Sequence, residues 1–597
     1  MYGISRNLVS SQELAKYIEK VNFELTRIAL LDHVPLGPAF KQLSFEDAAN
    51  NLVLHRIKKK FEEPSVKGSH ERADKSVEEF FQYDESLRDF ELPNDPFVRK
   101  VLYEVRNQIH CSLAHYVFDS RFVEITNGES FVSSRGDTSI YAKLRDRKQW
   151  CVTPSCFDLF AGIAYRTHSL KRLAKNHFRA FCAEHGVSYA SYCKRAYTDF
   201  SSDKIKGSAI GFSIFRDMLK NIVTFVGGSR ITTVPKNKET DRVILCEAMC
   251  NMITQRVIAG GIRECLKKTF GYDLTKGQEL HNALIHLDSS ATIDLKNASN
   301  SNVLSVVKWL LRDTRLLRHV TSARAEHVFY NDRVHHLKMV SPMGNGFTFE
   351  LMTFILMHFA RYFDTMASVF GDDIIVDRDV ADAYTCVLES MQWKINVDKT
   401  FTTGPFKESC GGFVYEGRRL VSFDMEYSTD IVQAVINTNK LSLLAKNTYG
   451  TLRTILESAH QRILKAVPPA LLGDEPKDMC LSFLKDSLPH LVWCPRKKRE
   501  RLHKSNPALR ESFARIFDKN AGLLQDLQYH RRDLYLAIEF SYSAIKYKHT
   551  PVRNVNLTWY SYYLYTGRVS TPTYRRTRVQ LKLTLRTVDS LNLIKVI

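Results

Sequence analysis

The sequence has no apolar run long enough to cross a bilayer. Its most apolar stretch, residues 351–363, is interrupted by His358 and Arg361 and falls short of the ~20 residues a spanning helix needs. Residues 1–31 lack the continuous apolar segment of a secretory signal, so none is expected. No G-x-x-x-x-G-K-[ST] loop occurs, which argues against a fused P-loop helicase. The twelve cysteines form no C-x-x-C pair. Cys246 and Cys250 lie four apart on a pattern that reads as helical, but no second pair follows, so a structural zinc is not expected and a reducing cytosolic compartment fits better. Acidic residues are in deficit, 65 against 85 Lys and Arg, for a formal charge of +20. An excess of that size implies a polyanionic partner, and nucleic acid is the expected one. No internal repeat or low-complexity tract is visible, and 44% hydrophobic with 11% aromatic content excludes disorder of the whole chain.

What is present is a long chain with several expected subdomains: 597 residues bury a large core. Ser10 and Glu13 stand at capping-box spacing, predicting a helix to about residue 28. Residues 58–79 are charged and hold Pro64 and Gly68, which reads as an exposed loop. Leu102, Val105, Ile109, Leu113 and Val117 recur at helical spacing, a core helix. Residues 120–215 read as α+β with weak landmarks. Residues 225–425 alternate strand-like runs with helical stretches. Beyond about 440 helices are expected over 441–466, 481–488 and 506–540, with Pro468, Pro469 and Pro476 breaking the first two. The run Arg496-Lys497-Lys498-Arg499 reads as a solvated loop or an RNA contact. Val579, Leu581, Leu583 and Leu585 alternate with polar residues as a half-buried strand.

The chemistry centres on Val369-Phe370-Gly371-Asp372-Asp373-Ile374-Ile375-Val376. Two apolar β-type runs flank a Gly-Asp-Asp tip, a tight hairpin with Gly371 at the bend. Charge displayed beside a core costs free energy unless something pairs it, and a hard divalent cation is the natural partner for carboxylate oxygens. Upstream, Ala291-Thr292-Ile293-Asp294-Leu295 is an apolar strand carrying one more carboxylate. Nucleotidyl transfer uses two metals about 4 Å apart, bridged by carboxylates from different strands. Asp294 and Asp372 can serve if their strands are neighbours, with Asp373 in support.

Three further strings surround these acids. Ser341-Pro342-Met343-Gly344-Asn345-Gly346-Phe347-Thr348 offers two glycines for close backbone approach, and Ser341, Asn345 and Thr348 as hydrogen-bonding groups suited to a sugar or template backbone. Lys236, Lys238 and Arg242 place three cations in seven residues, enough to clamp a triphosphate. Asn396-Val397-Asp398-Lys399-Thr400-Phe401 holds Lys399, a candidate general acid toward leaving pyrophosphate, and Glu408-Ser409-Cys410-Gly411 follows.

In that order, these strings resemble an RNA-dependent RNA polymerase and, more narrowly, the replicase subunit of positive-strand RNA bacteriophages of the levivirus type. Met343-Gly344-Asn345-Gly346, Thr348-Phe349-Glu350-Leu351 and Glu408-Ser409-Cys410-Gly411 carry the likeness, which covers about residues 230–425. The resemblance implies an α+β right-hand fold: 1–225 an N-terminal region and fingers, 226–435 the palm, and 436–597 a mostly helical thumb. It implies Asp294, Asp372 and Asp373 as magnesium ligands, Lys236, Lys238 and Arg242 on the nucleotide path, Ser341 to Thr348 (Gly344, Asn345 and Gly346 among them) against template and ribose, and residues 408–411 under the growing strand. It also implies RNA template, ribonucleoside triphosphates, initiation without a primer, host elongation factors Tu and Ts with a ribosomal RNA-binding protein, and the host cytoplasm. One departure stands out. Related replicases commonly carry a second Asp six positions after the first; here it is Asn300. Asn300 either senses the ribose 2′-hydroxyl or caps a helix starting near Ser301. A reverse transcriptase shares the palm chemistry, but Phe370-Gly371 before the paired acids favours RNA synthesis. A non-catalytic RNA-binding protein would need no acidic triad.

Overall fold

The computed structural model describes residues 11–37, 39–61, 69–126, 129–133, 140–202, 207–236, 240–429 and 431–467. Lys238, the basic run at 496–499, the helices expected over 481–488 and 506–540 and the strand at 579–585 lie outside them, as does most of the expected thumb.

The described chain mixes helices with four small sheets. The sheet that matters most has the order Lys394–Ile395, Ser290–Lys296, Asp373–Asp377, Ser368–Phe370, antiparallel throughout. Its two central strands are apolar and β-branched, as burial on both faces demands: Ala291, Ile293, Leu295, Ile374, Ile375 and Val376 are all buried. Helix Thr348–Phe363 packs behind the Ser368–Phe370 strand. From Thr348 to Ala360 nearly every residue of it is buried, which explains an apolar composition with no polar stripe. A second sheet runs Asp241–Cys246, Ser229–Pro235, His327–Tyr330, Arg333–His336, with one parallel pairing. A three-stranded sheet, Phe406–Ser409, Gly412–Tyr415 and Arg418–Leu420, abuts the first.

The N-terminal helices Ser11–Ala29 and Phe45–Lys60 pack with the late helices Ile431–Lys446 and Gly450–Leu464 in a separate apolar cluster. Tyr17 and Thr438 share a 2.7 Å hydrogen bond there, and Arg462 grips the buried Glu24 at 2.8 and 2.9 Å. Segments 421 to 438 residues apart in sequence thus build one subassembly.

Several expectations need correction. Residues 58–60 and 69–79 are not a loop or linker: the first end the helix Phe45–Lys60 and the second open the helix Ser69–Ser86. Val77, Phe80 and Phe81 face the core, while Arg72 and Glu78 pair with Asp241 and Arg333. The charge that reads as solvated is one face of an amphipathic helix. The described residues between 140 and 220 are almost wholly helical, with Cys151–Val152 the one short strand among them. The helix expected from Leu102 to Val117 is Pro96–Ser112, followed by a 3-10 turn, so Val117 lies beyond it. Cys246 ends a strand and Cys250 sits in helix Met249–Phe270, so the two share no helix face. The expected helix over 441–466 is two helices broken at 447–449.

Candidate active site

Strand Ser290–Lys296 pairs with Asp373–Asp377 in a register that sets Asp294 directly opposite Asp373. Asp372 occupies the two-residue turn beside them. The turn works because Gly371 adopts φ +69; a Cβ there would also stand 2.5 Å from the Phe349 ring. Two contacts tie the hairpin to helix Thr348–Phe363: the Gly371 amide donates to Thr353 Oγ1 at 2.9 Å, and the Phe370 ring meets Phe349 edge-on at 4.9 Å.

The three acids differ in surroundings. Asp294 Oδ1 accepts from Asn396 Nδ2 at 2.6 Å and Oδ2 from Lys399 Nζ at 3.4 Å. Its carbonyl also receives the Asn396 amide at 2.9 Å. Asp372 is solvent-accessible, yet enough protein surrounds it that desolvation raises its carboxyl, with Asp294 adding to the rise and Lys399 and Arg242 opposing it. Asp373 is pushed up to about 6, first by burial and then by Asp372, although the Cys410 amide and thiol favour its ionised form. Cys410 and Gly411, both at positive φ, form the turn joining Phe406–Ser409 to Gly412–Tyr415, and Cys410 reaches Asp373 from it. Burial alone would lower Lys399, but Asp294 and Glu408 outweigh it and hold its ammonium above the usual value.

Two acids raised by burial and mutual repulsion are a donor set short of positive charge, and hard oxygens suit magnesium. Among the described residues no three His, Cys, Asp or Glu side chains form a single ready-made cage; each Asp294 oxygen accepts one protein donor and keeps a further lone pair for a cation.

The loop from Ser341 to Thr348 is anchored from beneath. Gly344 sits at φ +108, so close to the neighbouring strand that a Cβ would stand 2.2 Å from the Leu245 carbonyl oxygen. The Leu245 amide donates to the Met343 carbonyl at 2.8 Å. Asn345 is buried, its amide donating to Glu247 at 3.3 Å and its oxygen accepting from the Phe347 amide. Thr348 is buried and donates to the Ser341 and Pro342 carbonyls. The Gly346 amide donates to Gln255 at 2.9 Å, and its carbonyl accepts from Arg256 at 3.0 Å. In this arrangement the Asn345 and Thr348 side chains bind the loop to itself and to the core. Ser341 is fully buried with an unpartnered hydroxyl.

Lys236 and Arg242 are exposed at the near ends of two paired strands. Arg242 reaches Asp372 electrostatically. Asn300 lies in the turn after the Asp294 strand and caps no helix: the next one, Leu304–Leu310, starts later with Val303 at its cap. Asn302, two residues on, is 1% exposed with both amide atoms unpartnered. Glu247, Gln255, Arg256 and Asn396 were not singled out from the sequence. Only Asn396 left a signal, standing three residues before Lys399; Glu247 sits in a strand–helix connection and Gln255 and Arg256 inside the helix Met249–Phe270, where neither stands out.

The family described as "RNA replicase, beta-chain" matches residues 140–441, just over half the chain. The RNA-directed RNA polymerase beta chain of Enterobacteria phage fr is 34% identical over 226 residues, covering 36% of this chain and 41% of that one. The corresponding subunits of Enterobacteria phage SP and Escherichia virus Qbeta are 36% and 31% identical over 205 and 234 residues, covering 33% and 37% of this chain and 35% and 38% of theirs. The chain thus spans well under half the length of these relatives. The crystal structure of the RNA-dependent RNA polymerase of a human picorbirnavirus overlaps 41% of this chain and 56% of that one at 12% identity, with a TM-score of 0.28, too low to carry an argument.

Proposed function

Because the chain belongs to the RNA replicase beta-chain family, we propose that it is an RNA-directed RNA polymerase copying a single-stranded phage RNA genome by template-directed nucleotidyl transfer. The observation that carries this reading is the register of Asp294 against Asp373, with Asp372 at the adjoining turn. On this reading residues 1–225 are the N-terminal region and fingers, 226–435 the palm and 436–597 the thumb. Asp294, Asp372 and Asp373 would hold two magnesium ions, which supply activation of the attacking hydroxyl and charge stabilisation on the leaving diphosphate.

The chain's own residues do the rest. Asn396 fixes Asp294. Lys399 stays protonated at Nζ beside it, placed to donate to the leaving group. Arg242, with Lys236 and Lys238, draws the triphosphate toward Asp372. The loop from Ser341 to Thr348 would lie against template and ribose, with Gly344 and Gly346 packing its backbone onto Leu245 and Gln255 and the Asn345 and Thr348 side chains holding its shape. Asn300 senses the sugar, and Glu408 to Gly411 lie under the strand end. Primer-independent initiation, the template and nucleotides, elongation factors Tu and Ts, a ribosomal RNA-binding protein and the host cytoplasm extend the proposal by family likeness.

Single-nucleotide extension on an RNA template in magnesium, with ribo- and deoxyribonucleotides, tests it on three variants. Asp372→Asn should keep its fold and RNA binding but lose about a thousandfold in rate, because several kcal/mol of transition-state stabilisation go with a metal ligand. Lys399→Ala should lose about a hundredfold in kcat with little change in KM. Asn300→Ala should raise deoxynucleotide use. A near wild-type rate for Asp372→Asn removes the central claim.

A further inference from the structure

A cavity of about 480 Å³ opens between the C-terminal end of helix Phe45–Lys60 and the Lys399 and Glu408 segments of the palm. Arg56, Lys58, Lys59 and Lys399 line it, against the carboxylates of Asp398 and Glu408. Two of the four cations are matched. Arg56 Nε lies 2.8 Å from Asp424 as an ion pair, and its guanidinium stands over the Phe413 ring, 4.9 Å from the centroid. Lys399 pairs with Asp294 at 3.4 Å. Lys58 and Lys59 have no carboxylate partner within ion-pair distance among the described residues. Glu408 and Asp424 attract Lys59 from beyond ion-pair distance and the carbonyl end of its own helix relieves part of the repulsion, but burial, with Lys399 next, still depresses its ammonium below its usual pKa. His55 in the same wall is held down to about 4 by burial first and then Lys59, so it is a neutral ring at physiological pH. Lys58 and Lys59 are exposed and converge on a half-open space whose far wall, at Lys399, touches the Asp294 carboxylate.

We propose that this cavity binds a chain of phosphates: the diphosphate released by the transfer reaction, or the triphosphate of a nucleotide. Two flexible ammonium groups suit phosphate oxygens in several registers, and the ion-paired Arg56 lies on one side. Lys399 links the cavity to Asp294, so an anion there lies one side chain from the reacting centre. The link to the reaction rests on the polymerase reading; the binding does not.

The test begins with inorganic tripolyphosphate titrated calorimetrically, without divalent metal, into the full chain and two double variants. Lys58→Ala/Lys59→Ala should weaken binding at least tenfold. Lys267→Ala/Lys268→Ala, which removes the same charge from another exposed site, should leave it unchanged. Equal affinities in all three proteins, or equal losses in both variants, overturn the proposal. Kinetics then separate the sources. If the occupant is released diphosphate, the first variant should need about tenfold more diphosphate to drive the reverse reaction. If it is a nucleotide, that variant should lose the preference for a triphosphate over a monophosphate as first nucleotide. A chain that binds tripolyphosphate but polymerises nothing would sink the polymerase reading and keep the site.

Discussion

Burial and the adjoining Asp372 raise the Asp373 carboxyl to about 6, against an ordinary value near 4. The sign of the linkage follows. An acid whose pKa is higher in the folded state stabilises the fold below its unfolded pKa, and that contribution is lost as pH rises toward 6. Without metal, wild-type stability should therefore fall between about pH 4 and 6. Asp373→Asn should abolish that slope and be the more stable protein at pH 7 by on the order of 2 kcal/mol. Magnesium should raise the melting temperature of the wild type more than that of the variant. Denaturant titrations across pH with and without magnesium check it, and parallel pH profiles for the two proteins would show that Asp373 carries no unmet charge. This residue was legible in the sequence because an acid between apolar β-branched runs breaks a local rule. Asn345 and Thr348 were legible as polar positions but not in what they bind: their partners, Glu247 and the Ser341 and Pro342 carbonyls, depend on how the Leu245 strand packs against the loop.

The hairpin and the helix behind it act as one element. Gly371 has no room for a side chain, because Phe349 lies 2.5 Å from where a Cβ would stand, and its φ of +69 is strained for any other residue. Gly371→Ala should cost about 1–3 kcal/mol from backbone strain and the clash together. Adding Phe349→Leu should restore part of that loss by relieving the clash, leaving the strain. A double-mutant cycle in denaturant measures the coupling; strictly additive effects would mean the helix does not brace the turn. Strands 290–296 and 373–377 were readable because each holds a short, unbroken apolar and β-branched run beside an acid or a turn. The helix Ser69–Ser86 was not, since its apolar face shows only against the core and Pro64 and Gly68 precede it closely. The helices between 140 and 220 were equally opaque, their short apolar runs being too dense in Arg and Lys for one period to dominate.

Across the whole molecule the formal charge of +20 is spread along the chain. Part of it is spent internally: Arg256 and Arg263 hold the buried Glu350, Arg462 holds Glu24, and Arg324 donates to three carbonyls. The remaining surface excess should meet phosphates and release counterions when RNA binds, so the logarithm of affinity should fall linearly with the logarithm of salt concentration. For non-cognate single-stranded RNA each phosphate contact contributes a slope of about −0.7, and six to ten contacts would cost at least about 10² in affinity between 50 and 200 mM salt. Asp372→Asn, which removes one negative charge and no cation, should leave that slope unchanged while abolishing synthesis. Lys58→Ala/Lys59→Ala should flatten it only if the product strand, and not a free polyphosphate, occupies their cavity. Filter binding across a salt series on the three proteins separates these cases, and a flat dependence for the wild type would mean that the excess charge serves something other than RNA.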